Sequence, residues 1–182
     1  MYRERENIGL IIEGCKNKER KAQEQLYRNF HHSMKGLCML YTKNEMDATA
    51  VLNEGFFKVF KNIHQYNPAK ASLYTWIRAV VISTCLNHIK SSQNTIVANE
   101  LQEVEDVQTE AEAILKMNAD EILNLVRNLP ATTQAVFNLY VMEGYGHKEI
   151  ATQLQISEGT SKWHLSEARK KLKLQLEQEN IQ

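Results

Sequence analysis

The chain has 182 residues, with 22 Lys/Arg against 22 Asp/Glu and only seven Gly and two Pro, a size for one domain or two small ones. No window approaches the run of about 18 apolar residues that a membrane span needs, and "MYRERENIGLIIEG" carries acids and too short an apolar stretch for a secretory signal. Cys15, Cys38 and Cys85 are odd in number and far apart, which argues against a disulfide framework and for a reducing, cytoplasmic setting.

The zero net charge is unevenly spread. Residues 1–98 hold 14 Lys/Arg and 8 Asp/Glu, residues 99–121 one lysine and 8 acids, and residues 122–182 seven bases and six acids. Two neutral-to-basic parts flanking an acidic strip read as two modules and a connector.

The first helical spacing runs from Glu19 to Tyr41, on Ala22, Leu26, Phe30, Leu37 and Tyr41. After the polar break "TKNEMD", Ala48, Val51, Leu52, Gly55, Phe56, Val59, Phe60 and Ile63 form one continuous stripe. Asn67-Pro68 then marks a turn within "HQYNPAKAS". "LYTWIRAVVISTCLNHIK" is apolar nearly all round until Asn87. Its β-branched run is compatible with strand, but its length and helical surroundings favour a buried central helix. The pattern fades from Ser91 to Glu112, as a linker does. A stripe restarts on Ala111, Ile114, Leu115, Asn118, Ile122, Leu125 and Leu129, and Pro130 ends it. Residues 132–143 read as a helix closed by Gly144. No Gly-rich phosphate loop, Cys/His metal spacing, carboxylate cluster or activated nucleophile is visible. No cofactor, metal site or catalytic residue is therefore expected.

"KEIATQLQISEGTSKWHLSEARKKL" reads as a short helix, a turn and a longer helix. Ser157 suits the N-cap of the second helix, with Glu158 in its first turn. Ser161, Leu165, Ala168 and Leu172 make the inward stripe. Lys162, Ser166, Arg169 and Lys173 form a second stripe, and Trp163, Glu167 and Lys170 a third. Such a helix suits a DNA major groove, with its early residues at base edges and its cations at phosphates. Lys162 can donate to guanine, Glu167 can accept from cytosine, and Trp163 can cover a thymine methyl or a sugar. The alternative is a solvated amphipathic helix with Trp163 capping the core edge. The DNA reading leads because Trp163 lies off the apolar stripe.

The C-terminal stretch resembles region 4 of the extracytoplasmic-function (ECF) sigma factors of bacterial RNA polymerase. The likeness rests on Leu129, Pro130, Gly144, Glu149, Ile150, Ala151, Ile156, Ser157, Gly159, Thr160, Ala168 and Arg169. The N-terminal half resembles sigma region 2 independently, through Asp47, Ala48, Asn53, Glu54, Phe56, Lys58, Ser72, Trp76, Asn87 and Lys90. Two modest motifs in the family's order make a specific one.

The resemblance implies an all-α protein of two small helical domains. Region 2 would cover residues 1–92, a flexible acidic linker 93–112, and the region 4 helix-turn-helix 113–182. It implies core RNA polymerase as partner, through the clamp helices of the largest subunit and the flap, together with promoter DNA and an anti-sigma factor. Asp47, Asn53, Glu54, Phe57 and Lys58 would face the polymerase; Asn53, Glu54 and Phe57 fall off the core stripe. Tyr66, Asn67, Lys70, Tyr74, Trp76, Ser83, Asn87 and Lys90 would capture and open the minus-ten element, an aromatic and a cation together suiting a flipped base. Trp76 reads equally as a core anchor. Thr160, Lys162, Trp163, Ser166, Glu167, Arg169 and Lys170 would meet the minus-thirty-five element. The expected function is promoter recognition and DNA melting by a cytoplasmic, non-enzymatic sigma factor without membrane insertion. The alternative is a stand-alone helix-turn-helix regulator with an N-terminal sensing or dimerisation domain.

Four departures from the family pattern stand out. Ala79–Ile82 leave the central helix nearly uncharged. Thr49 and Ala50 replace acids that often precede the Gln-Glu pair. Gln155 replaces the usual turn glycine, and Glu167 stands where many relatives carry a base.

Overall fold

The computed structural model describes residues 2–93 and 119–179, and every element among them is helical. The all-α expectation holds. The helices are α1 (Tyr2–Lys16), α2 (Arg20–Tyr41), α3 (Glu45–Asn62), α4 (Leu73–Gln93), α5 (Ala119–Asn128), α6 (Ala131–Phe137), α7 (His147–Leu154) and α8 (Glu158–Glu179). The linker expected over 93–112, beyond Gln93, lies outside the described residues, as does the start of the next stripe at 111–118. Contacts divide the chain into two units, Met1–Met39 with Asn44–Cys85 and Leu40–Lys43 with Leu86–Gln182.

In the first unit, α3 forms because one face is apolar and its start is capped. The Asn44 side chain accepts the Asp47 N–H at 2.8 Å, starting the helix inside the polar break. Ala48, Val51, Leu52, Phe56, Val59 and Ile63 are all at most 2% exposed, the stripe read from the sequence. Ile63–Gln65 tighten into a 3-10 turn that ends the helix. α4 begins where the Ser72 hydroxyl accepts the Thr75 N–H at 3.1 Å. It buries Leu73, Ile77, Val81, Ile82 and Cys85. It is not buried all round, which corrects the expectation. Thr75, Ala79, Ser83 and Asn87, one turn apart, are exposed. Those positions hold small or polar side chains, so leaving them in water loses little apolar burial.

α1 was absent from the expected elements. Its apolar positions are sparse, and it is held by packing against the 3-10 turn and by burial of Ile11 and Cys15. It ends in a left-handed turn at Lys18 (φ 60°), with the Glu19 N–H reaching the Gly14 carbonyl at 2.9 Å, the Schellman pattern.

In the second unit, α8 packs against α5, α6 and α7. Leu129, Ala135, Val136, Leu139, Ile150, Ser161 and Ala168 are fully buried there. The helix expected over 132–143 divides in two. After Phe137 the chain widens into a π turn, Asn138–Met142. The Glu143 N–H reaches five residues back to the Asn138 carbonyl at 3.1 Å. This turns Tyr140, Val141 and Met142 outward, at 37%, 50% and 53% exposure. Gly144 then takes φ +74°, a turn that any other residue would make under strain.

Candidate nucleic-acid and polymerase interfaces

On α3, the residues off the apolar stripe form one solvent face. Asn53, Glu54 and Phe57 are exposed, Phe57 to 67%. The Tyr27 hydroxyl donates to Asn53 Oδ1 at 3.1 Å, and its ring meets Phe56 edge-on at 4.7 Å. The Asn53 carboxamide is thereby fixed from α2. Glu54 and Lys58 pair at 2.6 Å along the helix. Asp47 is half-buried and helps cap α3 through the Asn44 side chain, at 2.9 Å. Sequence reasoning missed Met46, 78% exposed and two turns before Asn53 on the same face. The signal was available, since positions 46, 50, 53 and 57 are offsets 0, 4, 7 and 11.

The loop between α3 and α4 is built by the residues proposed to use it. The Tyr66 hydroxyl donates to the Ala71 carbonyl at 3.2 Å, closing the loop across Asn67–Lys70. Asn67 Oδ1 accepts the Ala69 N–H at 2.9 Å, an Asx turn. The Tyr66 and Trp76 rings lie 5.7 Å apart, tilted by 54°. Trp76 is half-buried, between core anchor and surface aromatic. Lys70, Tyr74, Ser83 and Asn87 are exposed, and Lys90 is half-buried. Arg78 donates to the Tyr74 hydroxyl at 3.3 Å. The geometry thus presents an ordered loop, two neighbouring aromatic rings and an uncharged helix face.

On α8, the Ser157 hydroxyl accepts the Thr160 N–H at 2.9 Å and bonds the Thr160 hydroxyl at 2.8 Å, so Thr160 serves the cap. Lys162 and Lys170 are exposed and Arg169 half-exposed. Lys162 pairs with Glu158 at 3.1 Å. Glu167 pairs with Lys171 at 3.5 Å, a partner one turn on. Ser166 is only 9% exposed, and Trp163 is half-buried with its indole N–H sealed from solvent. Ser166 therefore does not lie on an outward stripe as expected, and Trp163 lies at the core edge, as the alternative had it. Of the residues on the outer stripes, a hydroxyl and an indole are cheaper to bury than an ammonium, so the lysines keep the solvent.

Two histidines clamp α8 to its neighbours. His164 Nδ1 lies 3.0 Å from the Thr133 hydroxyl of α6, and burial lowers the His164 pKa. His147 Nδ1, at the start of α7, lies 2.9 Å from the buried Ser161 hydroxyl. Neither was singled out from the sequence, because a single histidine in an amphipathic helix leaves no periodic mark.

Among the described residues, no group of three or more His, Cys, Asp or Glu is placed to hold a metal ion. No helix there is long and apolar enough to cross a membrane.

Residues 26–95 match the family model for sigma-70 region 2, and residues 119–172 match that for sigma-70, region 4. The chain is 21% identical over 171 residues to the RNA polymerase sigma-H factor of Pseudomonas aeruginosa, covering 87% of this chain and 88% of that protein. It is 24% identical over 155 residues to the ECF RNA polymerase sigma factor SigM of Mycobacterium tuberculosis, covering 85% and 76%. Its fold is similar to that of the sigma factor RpoE of Bartonella quintana, solved in complex with the anti-sigma factor NepR. That similarity has a TM-score of 0.53 at 13% identity, over 85% of this chain and 96% of that one. The chain belongs to the sigma-70 family of RNA polymerase sigma factors, in its ECF branch. As such it directs promoter recognition and DNA melting in transcription initiation, and its partners are core RNA polymerase and promoter DNA. A region 2 and a region 4 in one chain disfavour the stand-alone regulator.

Proposed function

We propose that the sigma activity is divided among three surfaces. Residues 1–92 hold core polymerase and the minus-ten element, residues 93–112 connect, and residues 113–182 read the minus-thirty-five element. On α3, Met46, Asn53, Glu54, Phe57 and Lys58, with Asp47 at the helix start, meet the clamp helices. The observation that carries this is Phe57, a 67% exposed aromatic beside an ion pair on a face that the core leaves unused. Exposed aromatics flanked by charge are what partner surfaces are made from.

The Tyr66–Ala71 loop captures a base of the minus-ten strand by stacking on Tyr66 or Trp76, with Lys70 on a phosphate. Tyr74, Ser83, Asn87 and Lys90 then follow the strand along α4. Ser83 and Asn87, lacking charge, offer hydrogen bonds and close approach in place of phosphate neutralisation. On α8, Lys162, Arg169 and Lys170 contact the upstream element. Thr160 caps the helix, Glu167 holds Lys171, and Trp163 and Ser166 support the face from beneath.

The protein works by binding, with no catalysis of its own, in the cytoplasm where its polymerase is. An anti-sigma factor is a further partner; the solved RpoE–NepR complex of a similar fold supports this. In-vitro transcription with core polymerase on genomic promoter templates is the test. Promoter-dependent initiation is expected. Its absence on every cognate template, together with no core binding, would overturn the reading.

A further inference from the structure

His147 stands where three parts of the second unit meet. It opens α7, it bonds Ser161 on α8 at 2.9 Å, and its ring stacks on Tyr140 of the π turn at 4.7 Å and 23°. The charges that face it come mainly from α8. Lys162 and Arg169 act on the ring as like charges, and Glu158 acts as the opposite one. On α7 itself the neighbouring acid, Glu149, is committed to the Gly146 N–H at 2.9 Å. Lys148 adds a further exposed cation in the adjoining position. From the π turn the facing group is the Tyr140 phenol. The ring is half-exposed, so a proton can reach it.

We propose that His147 is a positioning residue for the recognition helix and makes binding of the upstream promoter element pH-dependent, adding a cation beside Lys162 and Arg169 when it takes up a proton. This rests on the reading of α8 given above and deepens it.

The Ser161 hydroxyl can donate to a neutral Nδ1 or accept from a protonated one. The link between α7 and α8 therefore survives proton uptake, and what changes is charge rather than packing. In the free protein, burial lowers the His147 pKa, and Lys162 lowers it further, so the ring is neutral near pH 7. A DNA phosphate placed near Lys162 and Arg169 has the opposite effect and draws the proton on. Binding is then coupled to proton uptake, and affinity rises as pH falls. One proton sets a ceiling of about tenfold per pH unit. One additional phosphate contact steepens the dependence of log affinity on log salt by about 0.9.

The test uses holoenzyme assembled on core polymerase and a duplex fragment carrying the upstream element. Affinity is measured between about pH 8 and about pH 6, where a histidine titrates, at several salt concentrations. Wild type is expected to gain about threefold to tenfold toward the lower pH, with a steeper salt slope. His147→Asn can still reach Ser161 but cannot titrate in this range, and its profile is expected to be flatter than wild type. His147→Ala, checked for folding by circular dichroism, is expected to lose both affinity and pH dependence. An Asn variant that keeps the wild-type pH profile, or a wild type with none, overturns the proposal while the Lys162→Ala effect still stands. Affinity insensitive to Lys162→Ala overturns the reading of α8 itself, and this proposal with it.

Discussion

The Sγ atoms of Cys38 on α2 and Cys85 on α4 lie 4.0 Å apart, both fully buried. Neither forms a disulfide, and their contact links the two helices in the core. The Cys38 hydrogen bond and burial push the Cys85 thiol far above its usual range. Burial, with Glu19 nearby, pushes Cys15 up to about 11. Since the thiolate is the nucleophile, Cys15 and Cys85 are expected to resist alkylation by iodoacetamide near pH 8 in the native protein; Cys38 is shielded by its full burial, and all three are expected to react together in denaturant. Mass spectrometry of intact protein counts the adducts. Rapid native labelling at Cys38 or Cys85 would show that the helices open there.

Much of this core was legible because periodicity and burial agree. The eight apolar positions from Ala48 to Ile63 leave only one face for α3 to bury, and Ser157 announces the start of α8. What escaped has no periodic signature. α1 depends on tertiary packing around Gly14, which the sequence alone does not display. The π turn at Asn138–Met142 breaks helical spacing without a Gly or Pro to announce it. The clamps of His147 and His164 pair residues 14 and 31 positions apart, beyond any local pattern. At the interfaces, residue type pointed to Tyr66 and Asn67, but not to the hydrogen bonds by which they first build their own loop.

Gln155 closes α7 at φ 59°, ψ 42°, left-handed. Its own N–H and that of Ile156 both return to the Ala151 carbonyl. This is the turn between α7 and α8, and a side chain there costs about 1–2 kcal/mol that glycine avoids. Gln155→Gly is expected to stabilise the protein by about 0.5–1 kcal/mol, after allowing for the looser unfolded chain. Thermal melting followed by circular dichroism reads the change. An unchanged or lower midpoint would mean that the Gln155 side chain contributes contacts that offset the strain.

Gly14 and Gly36 make a matched pair of helical glycines. A Cβ on Gly14 falls 2.6 Å from the Ala22 Cβ and 3.0 Å from Glu19 Oε2, whereas one on Gly36 meets nothing within 4 Å. Gly14→Ala must therefore move α1 away from α2, at an expected cost of about 1–3 kcal/mol. Gly36→Ala, in the interior of α2, is expected to gain about 0.5–1 kcal/mol from helix propensity. Urea titrations of the two variants against wild type decide it. Similar effects of the same sign at both sites would count against the close approach of α1 and α2.

Phe57 and Lys162 are expected to separate the two proposed binding tasks. Truncating an exposed aromatic at the centre of an interface removes about 1–2 kcal/mol, so Phe57→Ala is expected to weaken core association about fivefold to thirtyfold. Its side chain is 67% exposed, so the fold should be little affected. Lys162→Ala removes a cation from α8 and leaves Glu158, its partner at 3.1 Å, on the face proposed to meet DNA. Promoter affinity of preassembled holoenzyme is expected to fall about tenfold, and the salt slope by about 0.9. Fluorescence anisotropy with labelled protein measures core association, and the same readout on labelled duplex measures promoter affinity. The expected result is reciprocal, each substitution moving one affinity and leaving the other. Loss of core association on Lys162→Ala would place the polymerase, rather than the promoter, against α8.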